Sequence, residues 1–192
     1  MPTAQELYIS RQIARNNFET APTVKSLVDS NALLTTQGTS YESLVFINRP
    51  ANTTAYPINS VIGNSTNAII TFQNMGAVGR DTYFTDCRLS IQSSTILTGM
   101  TSFRLHLYNA SPVVLLDTAT WDFATADITR YLGYIDIGSI LDFGSNLWLQ
   151  SDIINIKRRC ISTSVFGFLV TNGAFTPTSG LVFNITLGGV SA

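Results

Sequence analysis

The chain has 192 residues, of which 45% are hydrophobic and only 12% charged, with a net charge of −1. That length bounds it to about one domain with a real core, and the near-neutral balance excludes a surface that gathers nucleic acid or anionic membrane by charge. With 24 Thr and 19 Ser against 23 charged residues, the solvent-facing surface must be covered mainly by hydroxyls and amides, a composition that favours pleated strands and suits a protein built into an assembly.

Residues 1–40 read as an N-terminal arm or leader. TAQELYISRQIARNNF can make one or two helical turns, with Thr3 as N-cap and Glu6 three residues on. Its apolar residues form a poor stripe, and Pro22 interrupts any continuation. The charges Arg11 and Arg15 and the apolar anchors Leu33 and Leu34 make it an arm that packs on something else. The opening residues lack the apolar stretch of a secretory signal. No apolar run approaches the ~18 residues that span a bilayer, so no membrane partner is expected.

From Tyr41 onward, over 41–192, the hydrophobic period is two. LVFIN (44–48) is a short apolar strand, followed by a Pro-, Asn- and Thr-rich loop to Asn67. AIITFQN (68–74) sets Ile70 and Phe72 against Thr71 and Gln73; TYFTDCRLSIQ (82–92) sets Cys87, Leu89 and Ile91 inward against Asp86, Arg88 and Ser90. FRLHLY (103–108) puts Phe103, Leu105 and Leu107 on one face and Arg104, His106 and Tyr108 on the other. YLGYIDI, NLWLQS and LVFNITL alternate in the same way, while STSVFGFLV is apolar on both faces, as a doubly covered central strand would be. The terminal GGVSA reads as a frayed end. Eight or more short strands with no helical pattern between them predict an all-β fold: an antiparallel β-sandwich of jelly-roll or related Greek-key type, with an N-terminal arm.

His106 is the only histidine. If residues 93–101 close a hairpin, Arg88 and Ser90 lie beside His106 and Arg104 on one outer face, with Asp86 near Tyr108 or His106. That face holds the ingredients of a hydrolase triad but no nucleophile signature such as G-x-S-x-G, and one histidine cannot anchor a His-based zinc site. Arg104, His106 and Tyr108 therefore read as structural or interface residues, on an outer face that meets another protein or another sheet. Asp117, Asp122 and Asp127 are spaced too widely for a calcium loop and read as turn caps and solvated carboxylates. Lys157, Arg158 and Arg159 read as a loop that pairs charge at a protein interface. Lacking interleaved aromatics, they predict no specific nucleic-acid binding. The cysteines Cys87 and Cys160 are expected to be buried, reduced thiols. No phosphate-loop, dinucleotide, HExxH or CxxC motif is present, so no enzyme activity, metal or cofactor is expected.

The succession ITFQNMGAVGRDTYFTDCRLSIQ (70–92), FRLHLYNASP (103–112), YLGYIDIGSI (131–140) and LWLQSDI (147–153) resembles virion structural proteins of tailed bacteriophages, of the capsid decoration (cement) type. The resemblance covers roughly residues 69–187 and carries no catalytic signature. It implies a sandwich or jelly roll, often trimeric, on the capsid exterior, with the major capsid protein as partner, a terminal arm bridging capsomers and assembly in the host cytoplasm. The alternative is a tail- or fibre-associated module for carbohydrate or host-surface recognition, in which Trp121, Trp148 and Tyr134 stack on sugar rings.

Overall fold

The computed structural model describes residues 39–151, 154 and 156–191. Arg11, Arg15, Leu33 and Leu34, and the arm they belong to, lie outside the described residues. Eleven strands follow in order: β1 (Thr39–Asn48), β2 (Val61–Ile62), β3 (Ile70–Phe72), β4 (Asp81–Ile91), β5 (Phe103–Tyr108), β6 (Tyr131–Ile137), β7 (Leu141–Asp142), β8 (Leu147–Ser151), β9 (Ile156–Arg159), β10 (Val165–Thr171) and β11 (Val182–Ser191). A 3₁₀ turn at Thr125–Asp127 is the only helical element among the described residues.

The strands form two antiparallel sheets. The first runs β1-β11-β4-β8-β7 with β9 also on β4; the second runs β2-β10-β5-β6 with β3 also on β10. Strands β8 and β9 occupy successive halves of β4, opposite residues 87–91 and 81–84. Strands β2 and β3 likewise share β10. Each pair therefore counts as one interrupted strand. With the short β7 set aside, the described residues form eight strands ordered 1-8-3-6 in one sheet and 2-7-4-5 in the other. That connectivity is the jelly roll.

This order corrects the expected hairpin. β4 and β5 are consecutive, yet they lie in different sheets, so residues 92–102 are a crossing between layers. Arg88, Ser90 and Asp86 are thus kept apart from His106 by the sandwich. The crossing is held close to the segment after β10: Gly99 sits at φ +86°, and an added Cβ there would overlap the Ala174 carbonyl.

The core between the sheets follows the period-two reading. Phe103, Leu105 and Leu107 of β5 meet Leu89 and Ile91 of β4, Leu147 and Leu149 of β8 and Phe183, Ile185 and Leu187 of β11. Phe103 packs edge-on against Phe175 and Phe183, with centroids 6.2 and 6.0 Å apart. Cys87 and Cys160 are both buried and free. Burial pushes the Cys87 thiol up, and Cys160 Sγ donates to Thr82 Oγ1 at 3.3 Å.

In β4 the inward set changes phase. Thr82 and Phe84 are buried at even positions, then Cys87, Leu89 and Ile91 at odd ones. The cause is a bulge: Gly188 lies opposite Asp86 and Gly189 opposite Phe84, so Thr85 has no partner across the ladder. A side chain at Gly188 would overlap the Asp86 carboxylate. The terminal Gly188–Ser191 stretch is therefore paired strand between β1 and β4, which corrects its reading as a frayed end.

Candidate functional site

Strand β10 is covered on both faces, as its sequence predicts. Val165 and Leu169 join the main core, while Phe168 and Val170 join a second cluster with Val61, Ala68 and Tyr108 on the far side of the sheet. What covers that far side is the connection between β5 and β6, residues 109–130. Ala68 N donates to Leu115 O at 2.9 Å, Val61 N to Ala119 O at 2.8 Å, and Trp121 N to Asn59 O at 2.7 Å. Buried Asp127 accepts from Val113 N at 3.0 Å and closes the segment on itself.

His106 lies under this cover. On β5 it is opposite Phe168 of β10 and Tyr134 of β6, and only 3% of it is exposed. The Trp121 indole stacks on the imidazole at 3.9 Å and 19°, and Nδ1 shares a hydrogen bond with Tyr131 Oη at 2.9 Å. Burial, then the nearby Arg104 charge, lowers its pKa from 6.5 to about 4, with Asp136 pulling the other way. The ring is a neutral packing piece held between aromatics. Tyr108 and Tyr131 are likewise raised to about 12, first by burial.

Of the structural and interface roles expected for Arg104, His106 and Tyr108, His106 and Tyr108 take the structural one and do not form an open interface. His106 and Tyr108 are buried, because an apolar and aromatic sheet face left in water would forfeit the burial that a 22-residue connection can supply. Arg104 alone reaches solvent. Its Nε donates to Asp136 at 2.7 Å, and its guanidinium lies 4.4 Å over the Tyr134 ring. A cleft of about 330 Å³ opens beside it, lined by Arg104, His106, Trp121, Asn59 and Asn172.

The residues expected beside His106 occupy the outer face of the other sheet. Arg88 bonds Glu42 at 2.6 Å and Asp86 at 3.1 Å, and Asn184 Nδ2 donates to Ser90 Oγ at 3.3 Å. In the same face Trp148 Nε1 donates to Gln150 Oε1 at 3.0 Å.

The basic triplet forms a strand, β9, where a loop was expected. Lys157 bonds Asp81 at 3.0 Å and lies 5.3 Å over the Tyr83 ring. Arg158 turns to the other sheet and donates from Nε to Leu132 O at 2.6 Å. Arg159 is exposed and sits opposite Asp81 in register. Charges on this short edge strand discourage further pairing.

A buried polar knot at one end escaped the sequence reading. Asp117, expected to be solvated, accepts from Tyr56 Oη at 2.5 Å, from Gly63 N at 2.9 Å and from Arg49 Nη2 at 3.3 Å. The Arg49 side chain is wholly enclosed. The available signal was a lone Arg49 before Pro50, which spacing alone could not connect to Asp117. Asp122 is exposed as expected. Among the described residues no group of three His, Cys, Asp or Glu side chains is placed to hold a metal, and no helix is long and apolar enough to cross a membrane.

No family model and no curated protein matches the chain. Among solved structures it is similar to a protein of Desmodium yellow mottle tymovirus, at 12% identity over 81% of this chain and 88% of the other, with a TM-score of 0.24. It is similar to a chain from the capsid of Ralstonia phage GP4, at 11% identity over 81% and 84%, TM-score 0.35. A bacterial lipoprotein from Bacteroides thetaiotaomicron is similar at 8% identity over 80% and 84%, TM-score 0.36. At such TM-scores none of these likenesses carries an argument about function.

Proposed function

We propose that the chain is a virion structural protein, a capsid decoration (cement) protein of a tailed phage that stabilises the head from outside by bridging subunits of the major capsid protein. The observation that carries this reading is a jelly roll whose charges are largely consumed within the chain. Arg49, Arg88, Arg104, Arg130 and Lys157 all pair with carboxylates of the same domain. Apart from a few exposed charges such as Arg80, Arg159, Asp122 and Asp142, the described outer surface left over is hydroxyl, amide and apolar, the chemistry of lasting contact with a neighbouring protein. The sequence resemblance over residues 69–187 supports the same role, and no step of it requires catalysis.

In this role residues 1–38 bridge to the neighbouring capsomer, and Arg159 meets a carboxylate there. A homotrimer would multiply each contact through effective concentration. The test is saturable binding of the purified chain to heads that lack it, located by electron microscopy. Removal of residues 1–38 should abolish binding while the circular dichroism of the sandwich persists; a truncated chain that binds equally well refutes the arm. Failure of the full chain to bind heads refutes the decoration role.

The cleft beside Arg104 favours one second reading, a tail- or fibre-associated module that recognises carbohydrate. Its amides and guanidinium suit hydroxyl-rich ligands. A glycan screen in which Asn172→Ala and Arg104→Ala change nothing would remove it.

A further inference from the structure

The connection that roofs the second sheet buries an aromatic layer and exposes a largely aliphatic one. Val113, Val114, Leu116, Phe123, Ile128 and Tyr134 are each 37–59% exposed. Five of the six come from a single stretch of the roof, in which Val114 and Leu116 follow Val113 in the chain, and contacts link the stretch to Tyr134. Val113 is bound to the Asp127 carboxylate beside Ile128. Phe123 lies 4.8 Å from Tyr131 and 6.1 Å from Trp121, and Trp121 stacks on His106, which lies 6.0 Å from Tyr134.

Together these side chains offer on the order of 400 Å² of apolar surface, taking about half of what each buries in a core. One side of a standard interface covers ~800 Å², of which somewhat over half is apolar, so the patch supplies about the apolar share of one complete side. The charge pattern narrows the partner. Arg104 and Arg130 are already paired with Asp136 and Asp127, and Asp122 is the one carboxylate of the roof with no ion pair among the described residues. A strongly charged partner finds almost nothing to answer it, whereas a second identical patch finds apolar surface against apolar surface with little repulsion.

We infer that the roof formed by residues 113–128, together with Tyr134, is the face through which the chain associates with further copies of itself. The inference stands on this surface alone. A chain that self-associates but does not bind heads would sink the decoration role and leave this interface intact.

Sedimentation equilibrium of the full chain over a wide concentration range tests it. The unsubstituted chain should form a defined oligomer, and Val114→Asp and Ile128→Asp, made separately, should each weaken it by roughly tenfold or more. Both positions are more than half exposed, so the monomer should keep its circular dichroism and melting temperature. Phe46→Asp, on the outer face of the other sheet, should leave the oligomer unchanged. A monomer at every concentration overturns the inference. So does an oligomer that survives both roof substitutions, or one that Phe46→Asp alone dissolves.

Discussion

The two outer faces of this sandwich solve the same problem in opposite ways. The face of β1, β11, β4 and β8 has no roof among the described residues: Glu42 of β1 and Arg88 and Asp86 of β4 form a charge network, and Ser90 bonds Asn184 as Trp148 bonds Gln150. The face of β10, β5 and β6 carries Phe168, Val170, His106 and Tyr108, and a 22-residue connection is laid over it. Side chains that can hydrogen-bond to water need no cover; a layer of rings does. The roof then turns its own apolar residues outward, so the burden of exposed apolar surface is moved outward and the sheet itself is protected.

If the roof is integral to the fold, cutting its anchor should have the largest effect. Asp117→Ala leaves the enclosed Arg49 guanidinium uncompensated and frees Tyr56 and Gly63, so denaturant unfolding should register a loss of about 3–5 kcal/mol. Trp121→Ala removes the half-buried ring that stacks on His106 and should destabilise by about 2–3 kcal/mol. A loss under half a kcal/mol in either would mean the roof is merely draped.

The two faces should also part in their response to acid. Burial holds the folded His106 neutral down to about pH 4, while an unfolded histidine takes its proton near 6.5. The unfolded chain therefore binds more protons in that window. The contribution is whole above pH 6.5 and fades as pH falls towards 4. Thermal melts should show a drop in melting temperature across that range that is visibly smaller in His106→Phe. The smallest effect is expected on the face of β1, β11, β4 and β8: Arg88→Ala, at a part-exposed ion pair, should change stability by less than about 1 kcal/mol and less still in high salt.

What could be read from residues alone follows the range of the forces involved. Alternation in 82–92 and 103–108 is local, so the inward set Cys87, Leu89, Ile91 and Phe103, Leu105, Leu107 was legible, as was the double burial of β10. Strand partners were not. Sequence adjacency suggested β4 with β5, but pairing across 1-8-3-6 and 2-7-4-5 is decided by layers, not by distance along the chain. The bulge at Thr85 was hidden for a related reason: it is visible only where Gly188 and Gly189 meet Asp86 and Phe84. The fate of His106 depended on Trp121, fifteen residues away in a stretch with no period at all.

The strand order also dictates when the fold can close. Apart from the minor β7–β8 contact, the only ladder between consecutive strands among the described residues, β5 with β6, must first close the roof loop. The first sheet's ladder joins Thr39 to Ser191 and Asn48 to Val182, almost the full span of the described chain. Contacts so far apart repay loop-closure entropy late, which slows folding towards the millisecond-to-second regime. During synthesis β1 has no ladder partner among the described residues until β11 has been made. It carries Leu44 and Phe46 ahead of that ladder, and the interval between its emergence and the arrival of β11 is when the described fold is most open to wrong pairings.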